Sequence, residues 1–145
     1  MKDLMAFLIV PVLLVQCSSQ QQQNISNAPL TLENTYWKLV EVGGIAVTTP
    51  LNGHEVFMVL AREQDAGVLK GHAGCNGLGG NYQVEGDKIK FQAITTRMFC
   101  ESRMEVENLF TRMLTAADNY RIRENTLELL SGNETLGKFD GILQK

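Results

Sequence analysis

The sequence predicts an α+β domain in which about eight antiparallel strands form a barrel-like β-sheet with one amphipathic helix. Three observations lead there. Short segments of alternating apolar and polar residues recur between turn signals. One segment alone switches to helical spacing. The 145 residues, 44% hydrophobic and 20% charged, give room for one core. A twisted sheet of that many strands tends to curl or close, which removes exposed edges.

The first strand is predicted over Thr35–Val42 (TYWKLVEV), with Trp37 and Leu39 on one face, Tyr36, Val40 and Val42 on the other, and Gly43-Gly44 ending it. Trp37 reads as core. Glu55–Arg62 (EVFMVLAR) is more evenly apolar and reads as a strand buried on both faces. Gly67–His72 follows the turn-like Gln64-Asp65-Ala66. Asn81–Glu85 and Lys88–Ile94 flank Gly86-Asp87 as a hairpin; in the second strand Ile89, Phe91 and Ala93 alternate with Lys88, Lys90 and Gln92. Between Ser102 and Ala117 the residues Val106, Leu109, Phe110, Met113, Leu114 and Ala117 make a helical stripe suited to packing on a sheet. Ser102 and Glu105 form a capping box that sets the helix start. The strand pattern resumes with Tyr120 and Ile122 alternating against Arg121 and Arg123, then Thr126–Leu130 and Leu136–Leu143.

Ahead of this domain, residues 1–17 (MKDLMAFLIVPVLLVQC) carry an apolar run from Leu4 to Val15, shorter than a comfortable transmembrane helix and placed as a secretory signal. The run ends at Cys17, followed by Ser18-Ser19, and so resembles a bacterial lipoprotein signal whose cysteine is lipidated. Leu14 fits that pattern. Gln16 departs from it, since lipoboxes carry Gly, Ala or Ser there. The segment from Ser18 to Asn27 (SSQQQQNISN) has almost nothing to bury and reads as a polar tether. The tether is placed at residues 18–33 and the domain at 34–145, with packing beginning near Leu30.

The net charge of −3, with lysines and arginines scattered, lacks the electrostatic footprint of a nucleic-acid binder. The densest chemical signal is Gly71–Tyr82 (GHAGCNGLGGNY), with five glycines and one cysteine. It is no P-loop, because Gly80 is followed by Asn81-Tyr82 and not by a lysine and a hydroxyl residue; the G-x-G-x-x-G spacing is also absent. Cys75 as a nucleophile would take His54 or His72 as base. The cysteines form no CxxC pair and the carboxylates no evident acid–base couple, so no metal or cofactor is expected. In an exported chain Cys75 and Cys100 remain as an even pair in an oxidising compartment, which favours a disulfide over two buried free thiols. The stretch then reads as a structural corner, its glycines serving backbone geometry and Asn76 bonding its own backbone in the turn.

The order Tyr36-Trp37-x-Leu39, Gly71-x-x-Gly74-Cys75-Asn76, Gly80-x-Tyr82, Thr96-x-Met98-x-Cys100 and Glu107-x-x-Phe110-x-x-x-Leu114, followed by a closing hairpin, is similar to the META domain of HslJ-type heat-shock lipoproteins. The resemblance spans residues 35–143 and rests most on the Gly-Cys-Asn and Thr-x-Met-x-Cys elements. It implies a small antiparallel barrel-like fold in the bacterial cell envelope, links to heat shock, motility and novobiocin tolerance, and no catalytic site to carry over. Three functions follow as expectations. The first is a non-catalytic, lipid-anchored envelope protein, in the periplasm or at the cell surface, that binds another envelope component. The second is a small hydrophobic-ligand carrier using the barrel mouth. The third is a thiol-active or hydrolytic enzyme centred on Cys75.

Overall fold

The computed structural model describes residues 29–49 and 53–143; Cys17, the leader and the tether up to residue 28 lie outside them. The strands are β1 (Thr35–Val42), β2 (Ile45–Ala46), β3 (Val56–Glu63), β4 (Ala66–Ala73), β5 (Gly77–Glu85), β6 (Lys88–Thr95), β7 (Asn119–Arg123), β8 (Thr126–Ser131) and β9 (Glu134–Leu143), with helix α1 (Met104–Ala116) between β6 and β7. All pairings are antiparallel, and neighbours in the sheet are mostly neighbours in sequence. The sheet closes on itself because β1 pairs along one edge with β9, from Thr35↔Leu143 to Val42↔Gly137. The ring is therefore made by β1 and β3–β9. The short β2 pairs with the end of β1 through Glu41↔Ala46 and Val42↔Ile45.

Closure is thinnest between β6 and β7, which meet at the single register position Lys88↔Asn119. The helix lies along that seam. It begins just after Cys100, beyond the end of β6, and the chain returns at Asp118, whose carbonyl accepts the Ile89 N–H at 3.1 Å near the start of β6. A strand edge left open would invite pairing with other chains, and a helix laid beside it is one way to cover it. Phe110, Met113 and Leu114 of α1 face the core. The Phe110 ring meets Phe139 of β9 with centroids 6.1 Å apart. Met113 packs where a Cβ on Gly137 would stand, so the glycine gives the helix its seat.

The interior is filled by Trp37, Met58, Leu60, Leu69, Leu127, Leu129 and Phe139 from the strands, all but inaccessible to solvent. Trp37, the largest of them, donates its indole N–H to the Leu32 carbonyl at 2.9 Å, which gives a buried polar atom its partner. Leu30 and Leu32 are themselves buried, and Glu33 accepts bonds from Tyr82 and Arg62. Among the described residues, packing on the core is already present at Leu30 and Leu32.

Two local expectations are corrected. β3 is buried on one face only: Val56, Met58 and Leu60 point inward, while Phe57 and Val59 lie half-exposed outside. Its evenly apolar look comes from an outer aromatic contact, Phe57 on Tyr36 at 4.4 Å. The Ser102–Glu105 capping box does not form. Arg103 occupies the cap position without a side-chain cap bond, and the Cys100 carbonyl instead accepts the N–H groups of Arg103 (2.9 Å) and Met104 (3.2 Å). The helix start is set by the turn that Cys100 anchors.

Candidate functional site

The residues that carry most of the sequence motif meet at one end of the ring, where β4 turns into β5 and the loop after β6 leads to α1. Cys75 and Cys100 form a disulfide across 25 residues, with Cα atoms 5.8 Å apart. The turn is Ala73 to Asn76, closed by the Ala73 N–H donating to the Asn76 carbonyl at 2.7 Å. Gly74 sits in it at φ +103°, a conformation that L side chains rarely adopt. Gly80, at φ +137°, has the Gln92 carbonyl where a Cβ would be. The glycines Gly77, Gly79 and Gly80 belong to β5, so the corner is shorter than Gly71–Tyr82.

Asn76 is the hub. Its side-chain oxygen accepts from the Met98 N–H (2.7 Å) and the Thr96 hydroxyl (2.8 Å). Its amide nitrogen donates to the Met98 carbonyl (3.0 Å) and to Glu107 (2.8 Å to Oε1), and its backbone N–H donates to Glu107 Oε2 (3.0 Å). The expected bond from its side chain to its own turn is replaced by these long-range ones. Glu107 is 5% exposed, inside the helix's apolar face. A buried carboxylate is costly unless its oxygens are bonded, and Asn76 supplies those bonds. Thr96 adds a second link by accepting the Gly77 N–H at 3.2 Å.

Beside this hub stand the two histidines. Their rings lie 4.6 Å apart, and His72 Nδ1 accepts the Gly74 N–H at 3.0 Å. The Arg103 guanidinium packs over Gly74 and donates to the His54 carbonyl at 2.9 Å; its Nε is shielded from solvent and has no partner among the described residues. Burial, then the neighbouring His54, pushes the His72 pKa down from 6.5; Glu107 pulls the other way, and Arg103 adds to the decrease. Since Nδ1 is an acceptor, the neutral ring fits the corner. Neither histidine is placed as a base for a thiolate, because both sulfurs of the pair are engaged in one bond. Among the described residues no group of three or more His, Cys, Asp or Glu gathers as a metal set.

Cys75, Cys100, Asn76, Thr96, Met98 and Gly74 are thus brought together, whereas Trp37, Gly80 and Tyr82 lie elsewhere. Trp37 is core, and Tyr82 donates its hydroxyl to Glu33 at 2.6 Å near the other end of the ring. That bond, helped by Arg62 against the opposing effect of burial, lowers the Glu33 pKa. Sequence reading missed the role of Glu107. The signal was present, since Glu107, Phe110 and Leu114 share one helical stripe and a carboxylate in such a stripe needs a partner.

Fold and corner together define a small ring-closed β-domain tied by one disulfide, with a helix laid along its seam. The chain belongs to the META domain family, which matches over residues 30–140. That membership supports an envelope- and stress-associated role at the level of the family. A solved structure of a protein from Burkholderia xenovorans is 21% identical, covers 99% of each chain and superposes with a TM-score of 0.61. A second, described only as an NMR structure of the protein, is 20% identical, covers 77% of this chain and 94% of its own, and gives a TM-score of 0.58. Both share the fold. No curated protein matches the chain significantly.

Two outcomes are expected. Asn76→Ala strips Glu107 and Met98 of their partners and should lower stability by about 3 kcal/mol, close to 10 °C in Tm for a domain of this size, measured by thermal unfolding. For His72, the folded pKa lies below the unfolded value of 6.5, so stability is full above that value and declines as pH falls through it toward the lowered folded pKa. His72→Asn, whose Oδ1 can keep the Gly74 bond, should flatten that decline in denaturation midpoints measured between pH 7.5 and 5.

Proposed function

We propose that the protein is a non-catalytic envelope lipoprotein, held at a membrane by a lipid on Cys17, whose domain binds another envelope component. The observation that carries this reading is the Cys75–Cys100 bond. Disulfides persist in oxidising compartments outside the cytoplasm, which fits a chain opening on an apolar run that ends in a cysteine. On the chain-entropy estimate a 25-residue loop closed in this way adds about 3.5 kcal/mol, a large share of what a small domain has. Two further features speak against the alternatives. A thiol-active enzyme needs a free thiolate at Cys75, and that sulfur is bonded. A carrier needs an unfilled apolar interior, and Trp37, Leu60, Leu69 and Phe139 occupy the middle of the ring.

The test is the intact mass of the protein taken from its native membrane fraction, alkylated before and after reduction. The expected product lacks residues 1–16, carries acyl groups at its N-terminus and gains alkyl groups at Cys75 and Cys100 only after reduction. A full-length, unacylated chain with both cysteines alkylated at once contradicts the proposal.

A further inference from the structure

The glycines of β5 divide into two kinds. Gly80 is forced by its backbone angle and a close carbonyl, but Gly77 and Gly79 are not: neither has a left-handed backbone, a Cβ on Gly77 would meet nothing within 4 Å, and one on Gly79 would meet only Ile94 Cγ1 at 4.0 Å. No demand of the fold explains them. Register puts them on a bare strip between β4 and β6, Gly77 opposite His72 and Gly79 opposite Lys70 on one side and Ile94 on the other. Glycine inside a strand often marks a close approach by another molecule.

Ile94, paired with Gly79, borders the strip, and the loop that follows β6 carries Met98 and Phe99; these three are the most exposed large apolar side chains of the described residues. Ile94 is 70% exposed, Met98 61% and Phe99 82%. Met98 and Phe99 are not on a loose loop. Met98 is bonded through both its N–H and its carbonyl to Asn76, and Cys100 is bonded to Cys75. The chain fixes its backbone inward and its side chains outward, so little ordering entropy remains to be lost on docking.

Flanking charge selects the occupant. Arg97 and Glu101 are both exposed, stand two residues to either side of Phe99, and enter none of the ion pairs among the described residues. Such balance does not draw the loop to an anionic bilayer or to a strongly acidic or basic protein. It is self-complementary: when two copies meet about a twofold axis at Phe99 with loops antiparallel, Arg97 of each faces Glu101 of the other. We propose that this face, Phe99 and Met98 with the Gly77–Gly79 strip, docks a second copy of the chain, each Phe99 ring covering apolar surface of its partner. The proposal is independent of lipid attachment and of the envelope component the domain binds.

The test is sedimentation equilibrium of the purified full-length protein in mild detergent. Wild type should show a monomer–dimer equilibrium. Phe99→Ser should weaken it by about tenfold or more, as loss of a central aromatic anchor does. Gly79→Gln, at a site open to a side chain, should fold normally by circular dichroism and weaken the dimer similarly. Arg97→Glu should weaken it, and Arg97→Glu combined with Glu101→Arg should restore it to within about twofold of wild type, which no effect on folding alone would do. A wild type that stays monomeric at all concentrations overturns the proposal. So does a dimer that Phe99→Ser and Gly79→Gln leave unchanged, or a charge swap that fails to rescue.

Discussion

Glu107 is a carboxylate inside the apolar face of a helix, and the architecture at this end of the molecule follows from the need to satisfy it. Asn76 meets that need with its backbone N–H and its side-chain amide, and in doing so joins α1 to the β4–β5 turn. The other end of the same amide holds Met98 and Thr96, which ties in the loop after β6. One side chain therefore fixes three segments distant in sequence. Asp at this position would set carboxylate against carboxylate, and a shorter or apolar residue would leave buried donors and acceptors without partners.

The disulfide and this network support one another. Cys75 precedes Asn76 and Cys100 follows Met98 by two residues, so the covalent link holds in register the segments that the hydrogen bonds require. The Cys100 carbonyl then starts the helix by accepting two N–H groups. The helix is thereby aimed back along β6, over the one place where the ring of strands is joined by a single pair. Coverage of that thin seam and burial of Phe110 and Leu114 follow from where the helix begins.

Much of this was legible in the sequence, and the rest has identifiable physical reasons for being hidden. Alternation exposed β1, β6 and β7 because one face of each packs on the core, only partly buried in β7. The bulge after Leu39 turns Val42 of β1 inward, against its expected outward place. The stripe from Val106 to Ala117 exposed α1. Export and an even pair of cysteines pointed to the disulfide. The first half of β5 was invisible because glycines carry no side-chain pattern, and β2 because two residues cannot show a period. The helix start was misread because local capping chemistry at Ser102 gave way to a carbonyl positioned by a distant covalent bond. Asn76 was recognised as important to the turn, but its partners sit 20 to 31 residues away and no local rule names them.

The most direct measurement of this account is native-state hydrogen exchange at the Met98 amide. Met98 lies in a loop with its side chain in solvent, so an ordinary loop residue there would exchange through small local openings. If the Asn76 network ties this end of the domain together, the Met98 N–H should exchange as slowly as the Leu69 amide of β4, through global unfolding alone. Exchange at the rate of an open loop, with Leu69 still protected, would contradict it.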